Sequence, residues 1–360
     1  MTIIADTSEA SPMNLLLYLE RGKIMELWKY SDRFNDIGVP VYTVGAERHF
    51  KHVILFYKLK QAKDWTKLDR AKKKICRAFG AEDYPGELKH GADFAIMVTL
   101  PPEWWESYKY EQFGAEFQRN AKIGDMEVGF SLDADELIIN IYDTKSILVA
   151  GSSGGGKSSL LNCMIDSLII SGGDNIYLDF IDLKRVEFAF WEKFPQTLHK
   201  VANSKREAAD LLRYVKDEID RRYNILCAQG KLKATPEDFP PYVIFIDEFA
   251  TLEASAGTVI HSLVSYITAV GRAAGVYLVI ATQHPRNNVI DNIIRANCST
   301  KIVFACANSA QSTTICGSRI GVDLLGKGDG YIFLADRVKP IRFQAPLYDE
   351  ETRRRRFNFI

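Results

Sequence analysis

Short apolar runs alternate with stretches of helical periodicity along the second half of the chain. Runs at 147–150, 176–181, 243–247, 276–282 and 301–306 are mostly apolar at successive positions, the pattern of strands buried on both faces of a parallel sheet. Between them apolar residues recur at helical spacing. From Ser159 to Ile169, for example, Leu160, Leu161, Met164, Ile165 and Leu168 form one stripe. Strand and helix in strict alternation predict an α/β fold built on a doubly wound parallel sheet.

The first half reads differently. A helix is predicted over 13–36, carrying Leu15, Leu16, Leu19, Ile24, Leu27 and Trp28 on its apolar positions. Strand patterns follow at 39–44 and 52–59, a basic helix at 65–79, a strand at 92–100, a helix at 103–121 and a closing strand pair at 126–130 and 137–142. This order predicts a small α+β domain before the parallel sheet, with the boundary at Asp143–Lys145. The predicted organisation is a flexible leader (1–12), the α+β domain (13–145), the α/β domain (146–346) and a basic tail (347–360) holding Arg353 to Arg356.

The loop after the run at 147–150 carries the chemistry. Gly151, Ser152, Ser153, Gly154, Gly155, Gly156, Lys157, Ser158 and Ser159 spell G-x-x-x-x-G-K-S plus one serine, directly between a strand pattern and a helix pattern. Glycines let the backbone wrap a diphosphate with its N–H groups inward, and the helix adds its positive N-terminal end. In this P-loop, Lys157 is placed to contact the β- and γ-phosphates of ATP and the Ser158 hydroxyl to ligand Mg²⁺. The run at 243–247 closes on Asp247 and Glu248. Alone, an acidic pair at a strand end is also a helix cap or a solvated turn. Downstream of a P-loop it is a Walker B strand, with Asp247 holding Mg²⁺ and Glu248 orienting and deprotonating the attacking water. The run at 276–282 delivers Gln283 beside the γ-phosphate as a candidate sensor; the bland reading is a neutral residue ending a strand.

Composition narrows the class without choosing a substrate. The chain has 360 residues, 47% hydrophobic and 26% charged, enough for two domains. Lys plus Arg and Asp plus Glu both number 46, so a polyanion would have to bind at a local patch or on an assembly. Cys76, Cys163, Cys227, Cys298, Cys306 and Cys316 show no metal-ligand spacing, which points to reduced cysteines of a cytoplasmic protein. No run of eighteen apolar residues and no basic-then-apolar leader is present, so neither secretion nor a membrane span is expected.

Several stretches beyond the two generic motifs resemble the FtsK/SpoIIIE family of hexameric DNA translocases, within the HerA/FtsK superfamily, over about 145–345. Leu148–Ser158 resembles its LVAG-x-x-G-x-GKS, Ile181–Glu187 its IDPK-x-x-E (with Leu183 in place of Pro) and Glu218–Tyr223 its EMERRY. Gly271–Pro285 resembles [AG]-RAAG-x-HL-x-x-ATQRP, and Leu324–Gly330 the closing LLG-x-GD. The resemblance implies a RecA-like P-loop motor domain, an ATP- and Mg²⁺-dependent hydrolase, a homo-hexameric ring and duplex DNA as cargo. It also implies Arg272 as an arginine finger acting on a neighbouring subunit's ATP; the alternative is a surface arginine at a helix end. Asp182 and Lys184 shape the pocket, the subunit contact or merely a salt-bridged loop.

The departures concern the pore. His284 stands where the family has Arg, and Asn308–Thr314 lacks the charges of S-K-x-D-S-R-T. Phosphate contacts dominate affinity for DNA, so their loss weakens grip unless Arg286, Arg295, Lys301 and Arg319 compensate. A motor of a conjugative element, other mobile element or phage is the leading expectation, with a recruiting protein bound through the N-terminal domain. The alternatives are a protein-export ATPase of the type VII secretion kind and a viral genome-packaging ATPase.

Overall fold

The computed structural model describes residues 41–48, 52–59, 93–99, 121–131, 136–285, 289–324 and 326–357. The leader 1–12, the helices expected at 13–36 and 65–79, and all but the last residue of that expected at 103–121 lie outside these, as does Arg286. The chain forms two compact units, Met1–Ser107 and Tyr108–Ile360.

In the first unit, β1 (Val41–Arg48), β2 (His52–Leu59) and β3 (Asp93–Thr99) form an antiparallel sheet in the order β1-β2-β3. β1 pairs β2 from Val41↔Leu59 to Arg48↔Val53, with a register shift at Thr43/Gly45. β2 pairs β3 from His52↔Thr99 to Lys58↔Asp93.

The second unit is organised by one nine-stranded sheet, ordered β5-β4-β12-β11-β10-β6-β9-β8-β7. Its strands and helices, in chain order, are β4 (Asp125–Ser131), β5 (Glu136–Asn140), β6 (Ile147–Ala150), α1 (Lys157–Gly172), β7 (Tyr177–Ile181), α2 (Lys205–Ala228), β8 (Tyr242–Ile246), α3 (Phe249–Val270) and β9 (Val276–Thr282). They continue with α4 (Asn292–Asn297), β10 (Thr300–Phe304), α5 (Ser309–Cys316), β11 (Asp329–Phe333), β12 (Ile341–Gln344) and α6 (Glu350–Phe357). β10, β6, β9, β8 and β7 are mutually parallel, and β6, the first strand of this parallel set, lies inside it, as crossover connections to both sides require.

Every residue of β6, β8 and β9 is buried, which is why their sequences are uninterrupted apolar runs. Side chains alternate between two cores. Ile147 and Val149 join Leu160, Met164 and Leu168 of α1 on one face. Leu148 and Ala150 join Leu212, Val215 and Ile219 of α2 and Leu252, Val264 and Ile267 of α3 on the other. Serine 204 starts α2 with a capping box: its hydroxyl accepts from the Glu207 N–H while the Glu207 carboxylate accepts from the Ser204 N–H.

Two features depart from the sequence expectation. The sheet is mixed rather than wholly parallel, because β11, β12, β4 and β5 extend one edge antiparallel. And β4 with β5, assigned above to the first domain, belong to this sheet, so the expected boundary at 143–145 falls inside the second unit. The cause is a remote pairing, Phe343↔Ser131 and Gln344↔Phe130, supplied by β12 near the other end of the chain. The segment 347–360 is also more than a basic tail: α6 lies within it, and Phe357 packs on Phe194 at 4.8 Å and Trp191 at 5.8 Å between ring centres.

Candidate functional site

The site sits where the carboxyl ends of β6, β8 and β9 come level. Ala150 pairs Thr282, and Ile246 pairs Ile280, so the loop after β6, the acids after β8 and the residues after β9 emerge at one edge. Open α/β sheets bind ligands at such an edge.

The glycine-rich loop is held from behind. The Ser152 N–H donates to Ala305 O at 2.7 Å, and the Gly328 N–H donates to Gly155 O at 2.8 Å. Gly156 has φ 117°, and a Cβ there would meet Gly328 Cα at 2.6 Å, so both conformation and crowding demand glycine. Gly326–Gly328, part of the closing motif, is therefore the support of the phosphate loop. The inner N–H groups at the start of α1 remain available for an anion, as helix N-termini provide. Ser152, Ser153 and Gly154 lie on the open side. Ser159, expected at the nucleotide, instead uses its hydroxyl to tie down the C-terminal segment, donating to Pro346 O at 2.8 Å and accepting from the Tyr348 N–H at 2.5 Å.

Lys157 is 5% exposed and makes no hydrogen bond or ion pair among the described residues. Burial pulls its amine below the ordinary lysine value, and the charges of Glu248, Asp247 and Glu187 oppose that pull. A buried cation facing three carboxylates with no direct partner is arranged for an anion that arrives from outside. Asp247, 7% exposed, has its carboxyl pushed up to about 6, first by burial and then by the charges of Glu187 and Asp182. Between the usual aspartate value and about 6 the folded chain keeps a proton that the unfolded chain has released. This group's contribution to stability therefore falls as pH rises through that window.

Glu248, 8% exposed, is fixed from β9. The Thr282 hydroxyl donates to its Oε1 at 2.8 Å, and the Gln283 N–H to its Oε2 at 2.9 Å. Gln283 thus reaches the site through its main chain, and Thr282 is a residue the sequence reading missed.

A second missed residue is Glu187. Its Oε1 accepts from the Ser158 hydroxyl at 2.8 Å, which places a third carboxylate beside the position assigned to Mg²⁺. The placement follows from Asp182, fully buried, whose two oxygens accept the N–H groups of Lys184, Arg185, Val186, Glu187 and Phe188. One carboxylate thereby folds the turn 183–188 around itself, with Arg185 at φ 58°, and delivers Glu187. The I-D-x-K-x-x-E spacing was the available signal. Asp182→Ala is expected to cost about 3 kcal/mol or more, since bonds to a charged acceptor contribute about 1.5–3 kcal/mol each; the shift of the denaturant midpoint measures it.

The oxygen donors of Ser158, Asp247 and Glu187 suit a hard divalent cation. Among the described residues no group of three or more His, Cys, Asp or Glu is placed to hold a metal ion by itself. Arg272 is not brought to this edge. It lies exposed in a short 3₁₀ turn, Gly271–Ala274, just before the first residue of β9. The seven residues of β9, at a rise of about 3.3 Å each, put it some ~20 Å away, at the opposite edge of the sheet.

With this geometry established, residues 110–238 match the FtsK/SpoIIIE family. The chain carries an FtsK/SpoIIIE domain. It is 34% identical over 244 residues to the DNA translocase FtsK of Borreliella burgdorferi, covering 63% of this chain and 31% of that protein. It is 30% identical over 245 residues to the FtsK of Streptomyces avermitilis, covering 62% and 27%. The chain thus spans about a third of the length of these curated relatives. Among solved structures, the pCW3 conjugation coupling protein TcpA, a monomer with ATPγS, superposes with a TM-score of 0.62 at 19% identity, over 90% of this chain and 95% of TcpA. The cytoplasmic domain of the type VII secretion ATPase EccC from Thermomonospora curvata gives 0.56 at 22%, over 66% and 31%. The fold is that of P-loop ATPase motor domains.

Proposed function

We propose that the protein is a ring-forming ATPase that moves DNA. The observation that carries the ATPase reading is the convergence of Lys157, Ser158, Asp247 and Glu248 on one sheet edge, with Glu248 held by Thr282 and Gln283. The loop 151–156 and Lys157 bind the phosphates of ATP. Ser158 and Asp247 hold Mg²⁺, which supplies charge neutralisation on the phosphate oxygens. Glu248, pinned by its two donors, orients the attacking water and takes its proton. Arg272, remote from its own pocket and unpaired among the described residues, serves the ATP of a second copy, which requires a heterologous interface closing into a ring. Six copies fit the family resemblance, and the unit Met1–Ser107 is the candidate seat of a recruiting protein. No helix among the described residues is long and apolar enough to cross a membrane.

DNA as cargo rests on the relatives named DNA translocase. A protein-export role is the second reading, favoured by the EccC likeness and by a segment 308–314 without basic residues. Salt dependence separates them. A ring sums weak phosphate contacts from every copy, so even one or two basic residues per subunit give a multi-charge grip. Duplex DNA is expected to stimulate ATP hydrolysis at low salt, with stimulation shrinking several-fold as salt rises from about 50 to 200 mM. Rings that neither bind nor respond to DNA at low salt, yet are activated by a peptide, would overturn the DNA reading.

A further inference from the structure

The turn that presents Arg272 has all its carbonyls engaged. Val270 O accepts from the Tyr223 hydroxyl at 2.7 Å. Gly271 O and Arg272 O accept from the Gly275 N–H. Ala273 O accepts from the Ala234 N–H at 2.8 Å. Ala274 O and Gly275 O accept from one terminal nitrogen of Arg222 at 3.1 and 3.3 Å, and Gly275 O also takes the Tyr242 N–H at 2.9 Å. The same Arg222 nitrogen reaches Pro240 O at 3.0 Å.

Arg222 is itself 1% exposed. Its Nε donates to Glu218 Oε1 at 2.8 Å, and its guanidinium lies 5.0 Å from the Phe239 ring centre. A buried guanidinium is unfavourable unless its donors are well used and its charge is matched, and here the donors are directed at three backbone carbonyls and one carboxylate. An apolar residue would fill the space without that requirement. The arrangement is explained if the conformation of the turn, rather than the packing beneath it, is what matters. The turn it fixes carries an exposed arginine whose guanidinium makes no hydrogen bond or ion pair among the described residues.

We propose that Arg222 and Tyr223 of α2 are positioning residues for Arg272. They hold the 270–275 turn so that the Arg272 side chain projects at a fixed angle toward the nucleotide pocket of a second copy of this chain. The proposal rests on the reading of Arg272 given above, and it assigns a role to Arg222 and Tyr223 of the Glu218–Tyr223 motif, which does not touch the pocket. A guanidinium delivered across an interface must arrive at the transferring phosphoryl group already oriented, because loose placement forfeits most of the gain.

The test is a double-mutant cycle on the assembled full-length oligomer, with kcat and KM for ATP measured well below the unfolding temperature. Tyr223→Phe removes one hydroxyl and no charge. It is expected to lower kcat about fivefold with KM within about twofold, and to have no further effect on the residual rate of Arg272→Ala. Arg222→Met is expected to behave alike with a larger drop; should it fail to fold, Tyr223→Phe alone decides. An unchanged kcat in Tyr223→Phe, or an equal loss with and without Arg272, overturns the positioning role while leaving the arginine finger intact. Should Arg272→Ala itself turn over ATP at the normal rate in the assembled state, the finger reading falls and the positioning role with it.

Discussion

Lys157→Ala is expected to abolish ATP binding, whereas Glu248→Gln is expected to keep it and stop turnover. The two residues lie in one pocket but act on different parts of the nucleotide. Lys157 is a buried cation without a direct partner among the described residues, so it is free to meet the β- and γ-phosphates. Removing it takes away a charge-assisted contact and leaves Asp247, Glu248 and Glu187, whose charges act on it, to repel the incoming polyanion. A loss of at least ~100-fold in affinity follows, equivalent to about 2.7 kcal/mol. Glu248→Gln alters only the water-activating oxygen. The amide keeps one acceptor for the Thr282 hydroxyl or the Gln283 N–H, so the pocket retains its shape while general-base assistance, typically worth about 10²–10⁴-fold, disappears. Titration with a fluorescent ATP analogue and a phosphate-release assay check the pair. Equal affinity in Lys157→Ala and the unaltered chain would remove the basis for assigning the pocket to ATP.

What the sequence made legible is what local chemistry dictates. Ile147–Ala150 and Val276–Thr282 were placed to the residue because a strand buried on both faces must be continuously apolar, and each run is bounded by glycine or polar residues that stop it. The Walker residues were legible because a phosphate loop demands glycines and a lysine at fixed offsets. β4 and β5 went to the wrong unit because their place in the sheet depends on β12, and no local pattern announces a partner so remote. The turn 183–188 was visible as a motif, but its geometry comes from Asp182 gathering five N–H groups, an arrangement without a periodicity to read. Gln283 was given the sensing role through its side chain, whereas the contact made to Glu248 is its N–H, which every residue but proline possesses. Arg222, named from the sequence only as part of the Glu218–Tyr223 motif, is buried, and no local pattern announces it.

Arg272→Ala is expected to leave ATP binding nearly unchanged and to depress hydrolysis about 10³-fold or more, but only where copies are assembled, because an arginine finger stabilises charge that develops in the transition state alone. The geometry makes the direction of action testable. Arg272 precedes β9, while Glu248 lies beside the end of that strand, so no side chain could bridge the distance within one subunit. Mixing Arg272→Ala subunits with Glu248→Gln subunits then has a definite outcome. At equal, random mixing in a heterologous ring about one interface in four joins an intact Glu248 to an intact Arg272 from the neighbouring copy. Up to that fraction of the activity is expected to return, although each variant alone is nearly inactive. The measurement is steady-state ATP hydrolysis across a series of mixing ratios, with subunit exchange verified by labelling. Absence of recovery at every ratio, in rings shown to contain both variants, would overturn the action of Arg272 on a neighbouring copy's ATP.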